Sequence, residues 1–130
     1  MKSLDQIRAA HALKFWRDKD GNPPQGWNAE QGDAVNKLPA LIRNGGLLSA
    51  VAFAIEKKKN HLILMETVIG FLVSAERGLL PPLPQARPGE ELPARFIRMI
   101  TEGENGTSHS LQIATAEGLR YLEFLKRFAP

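Results

Sequence analysis

The chain has 130 residues, of which 43% are hydrophobic and 24% charged, as in a single folded domain and unlike a two-domain enzyme or a disordered segment. It contains no cysteine, which excludes disulfide staples, thiolate zinc sites and cysteine nucleophiles and fits a reducing cytoplasm. Its 17 Lys and Arg against 14 Asp and Glu leave a charge of +3, which allows a nucleic-acid-binding surface but lies far below that of a basic tail.

Lys2, Asp5, Arg8 and His11 interrupt the first twelve residues, so no apolar run marks them as an export signal. Ser3 is placed to cap a first helix, with Leu4, Ile7, Ala10, Leu13 and Phe15 at helical spacing as far as Lys19. Asp20-Gly21-Asn22-Pro23-Pro24 stops it, because consecutive prolines cannot continue the hydrogen-bond ladder. Asn28 with Gln31 reads as a capping box opening a second helix to Asn44. Pro39 is expected to kink or restart that helix, and Gly45-Gly46 to end it.

A third helix, Leu47 to Lys59, puts Leu47, Leu48, Val51, Ala54 and Ile55 on one face and three lysines in its last turn, where cations favour the helix dipole. Asn60 can cap it, and a fourth runs from His61 to Arg77, ended by Gly78. Nine of its residues Leu62 to Val73 are apolar, so it is expected to be buried between neighbours. It is too short, and too interrupted by Glu66, to span a membrane. Residues 79–93 hold five of the nine prolines and read as a stiff extended connector. Pro93 opens a short fifth helix to about Glu102, facing Phe96, Met99 and Ile100 inward. Thr107 or Ser108 caps a last helix to Ala129, whose apolar arc takes in Gly118, Tyr121, Leu122, Phe124, Leu125, Phe128 and Ala129. No segment alternates as a strand does. The expected fold is an all-α bundle of five or six helices, one domain over residues 1–130.

Catalytic patterns are missing. His11, His61 and His109 lie in three different elements and none has metal-binding spacing. Asp18-Lys19-Asp20-Gly21-Asn22 places its glycine too early for a calcium loop. Neither a phosphate loop nor any other cofactor motif occurs, so the expectation is no enzyme, no metal and no cofactor. Pro81-Pro82-Leu83-Pro84 reads as a spacer rather than a ligand for a polyproline-binding module. Lys57, Lys58 and Lys59 cover more than half a helical turn, so at least one projects outward and can meet a phosphate. Arg120 and Arg127 share a face with Glu123 between them, as in an ion-paired ladder. Tyr121, Phe124 and Phe128 belong to the apolar arc, which argues against base stacking. Phe53 lies opposite the apolar face of its helix. Exposed there, it marks a protein contact; covered, it packs beneath another helix.

Two segments are more specific: Lys37-Leu38-Pro39-Ala40-Leu41-Ile42-Arg43-Asn44-Gly45-Gly46-Leu47 followed by Ala50-Val51-Ala52-Phe53, and Thr115-Ala116-Glu117-Gly118-Leu119-Arg120-Tyr121-Leu122-Glu123-Phe124-Leu125-Lys126-Arg127-Phe128-Ala129. They resemble the two signature stretches of the small α-helical subunit of the type III-B (Cmr) CRISPR RNA-guided effector complex. The chain departs from that family's pattern at Gly118, usually alanine, at Phe124, usually tryptophan, and in its proline-rich connector. The resemblance implies a non-catalytic cytoplasmic subunit acting in antiviral defence. It would stack with further copies of itself beside the repeated backbone subunit and hold the guide RNA and target RNA. Lys37, Arg43, Lys126 and Arg127 stand at matched motif positions and become candidate phosphate contacts, with Arg127 serving either the RNA or a neighbouring helix. Lys57 and Lys58 join them from the charge argument alone. The rival is a free-standing helical regulator or adaptor that binds DNA or a protein partner. It predicts a dimer with sequence-specific binding.

Overall fold

In the computed structural model, which describes residues 2–17, 24, 26–28, 33–102 and 108–129, six helices follow one another: α1 Leu4–Trp16, α2 Ala34–Gly45, α3 Leu47–Lys57, α4 Lys59–Leu72, α5 Leu92–Thr101 and α6 Ser108–Phe128. No strand occurs among the described residues, and the fold is an all-α bundle. The starts and stops follow local chemistry. Ser3 closes a capping box on α1: its hydroxyl accepts from the Gln6 N–H, and the Gln6 side chain accepts from the Ser3 N–H at 2.7 Å. Gly46 both ends α2 and begins α3 at φ +89°, a conformation that favours glycine. Pro93 sits in the first turn of α5, and Phe96, Met99 and Ile100 are buried as its spacing predicts.

Four expectations need correction. α1 ends at Trp16, before Lys19, because Arg17 is already extended. α2 runs uninterrupted through Pro39. The ring is buried with Leu38 and Ile42, and that packing offsets the lost backbone donor. α3 gives way at Lys58 rather than Lys59, and α4 starts at Lys59. α4 stops at Leu72, well before Gly78, because the Ser74 hydroxyl donates to the Phe71 carbonyl at 2.8 Å and accepts from the Arg77 N–H, which turns the chain. The expected stop at 20–24, the opening of the second helix at 28–31 and a cap at Thr107 fall wholly or partly outside the described residues.

α6 packs against α1, α2 and α4, and all six helices contribute to one core. From Asn60 to Ser74 no residue is exposed, as the apolar run predicts for a helix between neighbours. Leu64, Met65, Val68, Ile69, Phe71 and Leu72 from α4 meet Tyr121, Leu122 and Leu125 from α6. Each such side chain contributes about 1.5–3 kcal/mol by leaving water. Phe128, assigned by its spacing to the buried arc, is 37% exposed. α1 reaches only as far as Leu125, whose carbonyl accepts from Trp16 Nε1 at 2.8 Å, so the last turn of α6 projects past it.

The connector is tied down by α5. Arg95 donates twice to the Pro84 carbonyl, Arg98 donates to the Gln85 carbonyl and forks onto Glu90, and Leu79, Leu80 and Leu83 rest on the core. The hydrogen bond from Arg98, helped by that from the Arg87 N–H, holds the Glu90 carboxyl down at about 2.

Gly118 is buried in mid-α6 against α4. A methyl group built there meets Val68 Cγ1 at 3.6 Å, an ordinary contact. Gly118→Ala should therefore stabilise the chain by about 0.5–1 kcal/mol through helix propensity. Thermal melting checks this: Tm should rise by a few degrees, and a fall would show that the α4–α6 approach needs glycine.

Candidate nucleic-acid interface

Every candidate phosphate contact is exposed: Lys37, Arg43, Lys57, Lys58, Lys126 and Arg127. Lys37 is ion-paired with Asp33 one turn back, at 3.2 Å. No ion pair holds the other five among the described residues. Arg120 instead takes the salt bridges on its face, to Glu123 at 3.1 Å and Asp5 at 3.7 Å, and Arg127 joins neither. The Lys57 ammonium stands 6.0 Å from the Phe53 ring and the Arg127 guanidinium 5.9 Å from the Phe124 ring, so both stems lie along apolar surface while their charges reach water. Lys57, Lys126 and Arg127 also sit in last helical turns, where they complement the dipole; that role and a phosphate contact are compatible.

A continuous line of contacts joins two of these groups. Leu125, next to Lys126 and Arg127, accepts from Trp16; Trp16 packs edge-to-face on Trp27 at 5.0 Å. Trp27 adjoins Asn28, whose backbone N–H and carbonyl pair with the Asn60 side chain at 2.9 and 2.6 Å. Asn60 follows Lys57, Lys58 and Lys59 directly. The charge of Lys37 also reaches His61, as does that of Lys57, so Lys37 belongs to the same neighbourhood. Arg43 does not: it is six residues further along α2, about 9 Å along the axis.

The α3–α4 junction departs from ordinary backbone. Lys58 has φ +60° and ψ −161°, and Lys59 has φ +52°, values that a side chain with a β-carbon adopts only under constraint. The run of lysines gave the charge of this segment but not its bend. Phe53 is half-buried, with its ring edge-to-face on His61 at 5.5 Å, and so is partly under cover rather than a freely exposed contact.

Glu117 carries the main feature that charge and motif reasoning passed over. It is only 6% exposed and receives two N–H groups of Arg8, at 2.9 and 2.7 Å, and one of Arg77, at 2.7 Å. Arg8 also holds Asp5. Burial alone would push the Glu117 carboxyl up, but the hydrogen bonds and charges of both arginines together outweigh it and hold the group below its ordinary value. The network clamps α1, α6 and the turn after α4. Its signal was present in the stripe Ala114, Glu117, Gly118, Tyr121, Leu122, Leu125, where the spacing puts a carboxylate on the inward face.

One turn along, burial lowers His11 and raises Tyr121, so both are neutral near pH 7, and the Tyr121 hydroxyl and His11 Nδ1 share a hydrogen bond. Among the described residues no three His, Asp or Glu side chains cluster closely enough to hold a metal ion, and no helix is long and apolar enough to cross a membrane. An apolar groove of about 530 Å³ opens between the α2–α3 corner and α6, lined by Gly46, Leu48, Leu111, Thr115 and Leu119 among others.

A family model described as CRISPR-associated protein (Cas_Cmr5) matches residues 4–130. Searches of curated proteins and of solved structures find no match.

Proposed function

The chain belongs to the Cas_Cmr5 family, the small subunits of the type III-B Cmr CRISPR complex, and from that premise we propose that it is a non-catalytic tile of the complex, working in the cytoplasm in antiviral defence. Copies of it stack on one another and beside the repeated backbone subunit, and together they hold the guide RNA and target RNA by their phosphates.

The observation that carries this reading is the set of exposed cations Lys57, Lys58, Lys126 and Arg127, free of ion pairs among the described residues, on helix ends linked through Trp16, Trp27 and Asn60. Charges in that state can release phosphate counterions on binding. A rigid bundle sets their spacing, and backbone contacts fit RNA whose sequence is read by guide pairing. Lys37 and Arg43 extend the surface along α2. The groove between α2–α3 and α6, with exposed Leu4, Leu13 and Phe128, supplies apolar surface for neighbouring subunits. Phe53 contributes its uncovered edge. Two polar side chains of the interior support a structural role: Glu117 is occupied by two arginines and His11 Nδ1 by Tyr121.

Purification of a tagged copy from its own cells separates this reading from that of a free-standing regulator. The expected result is recovery of the large Cmr subunits together with guide RNA. Recovery of the chain alone, as a dimer that binds one DNA sequence at physiological salt, would contradict it.

A further inference from the structure

The start of α4 brings together three features that the fold does not require. His61 is 6% exposed, and its Nε2 is buried with no hydrogen-bond partner among the described residues. Buried polar atoms are nearly always paired, and an orphan costs about 1–3 kcal/mol. Just before Asn60 and His61, Lys58 and Lys59 hold left-handed backbone that costs a lysine stability and would suit glycine. The first turn of α4 has neither a side-chain cap nor an acidic residue, so the positive end of its dipole has no local anion.

The surrounding charges are mostly positive. Lys37 comes from α2, Lys57 from α3, and Lys58 and Lys59 from the junction itself. Asp33, at the N-cap of α2, is the opposing carboxylate near His61 and is already paired with Lys37. The half-buried Phe53 ring lies edge-on against His61. An orphaned nitrogen, an uncapped helix start and a strained cationic bend converge on one missing partner, an anion.

We infer that the α3–α4 junction is a phosphate-binding site, in which one backbone phosphate of the bound RNA sits over the first turn of α4 and displaces the Phe53 edge to pair with His61 Nε2, Lys57 and Lys58. The site rests on the RNA-holding role proposed above and adds to it a residue, His61, that charge counting does not find. Empty, His61 is held neutral chiefly by burial, which outweighs the opposing charge of Asp33 and is helped by those of Lys37 and Lys57. A phosphate in contact with the ring reverses that preference and favours the imidazolium. Binding then takes up a proton, and affinity rises as the pH falls, by at most about tenfold per pH unit for one proton.

The test uses the reconstituted Cmr complex and a guide–target RNA duplex, with affinity measured between about pH 7.5 and pH 6 at fixed ionic strength. Wild type should tighten toward pH 6. His61→Phe keeps an aromatic ring against Phe53 and removes the orphaned nitrogen, so it should melt no lower than wild type, yet lose most of that tightening and bind about tenfold more weakly at pH 6. Lys58→Gly, a second variant that relieves the backbone, should weaken binding at every pH while raising Tm. If His61→Phe and Lys58→Gly both bind as wild type does across the range, the site is overturned and the RNA-holding role stands. If a complex lacking this subunit binds the duplex as tightly as the complete one, both fail. If inorganic phosphate removes the pH dependence without loosening the duplex, the site takes a free anion and the assignment to RNA is wrong.

Discussion

Glu117→Ala should lower the stability of the chain by about 3 kcal/mol, a fall in Tm of roughly 10 °C for a domain of this size. The loss comes less from the missing attraction than from what remains. Arg77, with its side chain 14% exposed, loses its only ion-pair partner among the described residues, and Arg8, 11% exposed, keeps only Asp5. Replacing all three members by apolar side chains, as in Arg8→Met, Glu117→Leu and Arg77→Met, should cost far less than the single change, because no charge is then left buried alone. Denaturant unfolding of the two variants checks the order. The network also sets the acid limb of stability. Glu117 has a lower pKa folded than unfolded, so its contribution is present above the unfolded value of about 4.3 and is lost as the pH falls through the folded value. Wild type should lose stability over that window, and Glu117→Ala should show a flatter acid limb. An equal slope in both would place the acid sensitivity elsewhere.

Phe71→Ala is expected to be the most damaging single change in the core, at about 3–5 kcal/mol. Phe71 is fully buried and lies almost parallel to Tyr121, with ring centroids 4.2 Å apart and 7° between planes, while the His11 ring meets it edge-on at 5.3 Å. The truncation leaves a cavity among α1, α4 and α6 and removes a ring pair worth about 0.5–1.5 kcal/mol beyond its area. Phe71→Leu, which retains most of the volume, should cost under about 2 kcal/mol. Calorimetric melting of both variants is the check. A cost for Phe71→Ala no greater than for Phe71→Leu would mean that the three helices collapse onto the space.

The all-α bundle was legible because the helices carry local signals: Ser3, Gly45-Gly46, Pro93, and the apolar run after Asn60. Where the helices depart from those signals, an interaction elsewhere decides the outcome. Pro39 stays within α2 because its ring has a place in the core, and Ser74 ends α4 before Gly78 is reached. Phe128 is uncovered because α1 does not extend to the end of α6, which no periodicity in α6 records. Charge and spacing placed Lys126 and Arg127 off the apolar arc and required at least one of Lys57, Lys58 and Lys59 to be exposed. Their connection through Trp16, Trp27 and Asn60 did not follow from either, because it depends on side chains far apart in sequence. Glu117 was readable as a carboxylate on an inward stripe, but its partners Arg8 and Arg77 lie 109 and 40 residues away. Likewise, the lysine run gives no hint that the backbone at 58 and 59 turns left-handed beside a buried histidine.

The proposed role as an RNA-holding tile is tested most directly by the salt dependence of duplex binding in the assembled complex, comparing wild type with the variant Lys57→Glu, Lys58→Glu, Lys126→Glu and Arg127→Glu. The variant complex should assemble and bind more weakly. The slope of log affinity against log salt should fall by about 0.7–0.9 for each phosphate that the variant no longer neutralises. Unchanged affinity together with an unchanged slope would contradict the role.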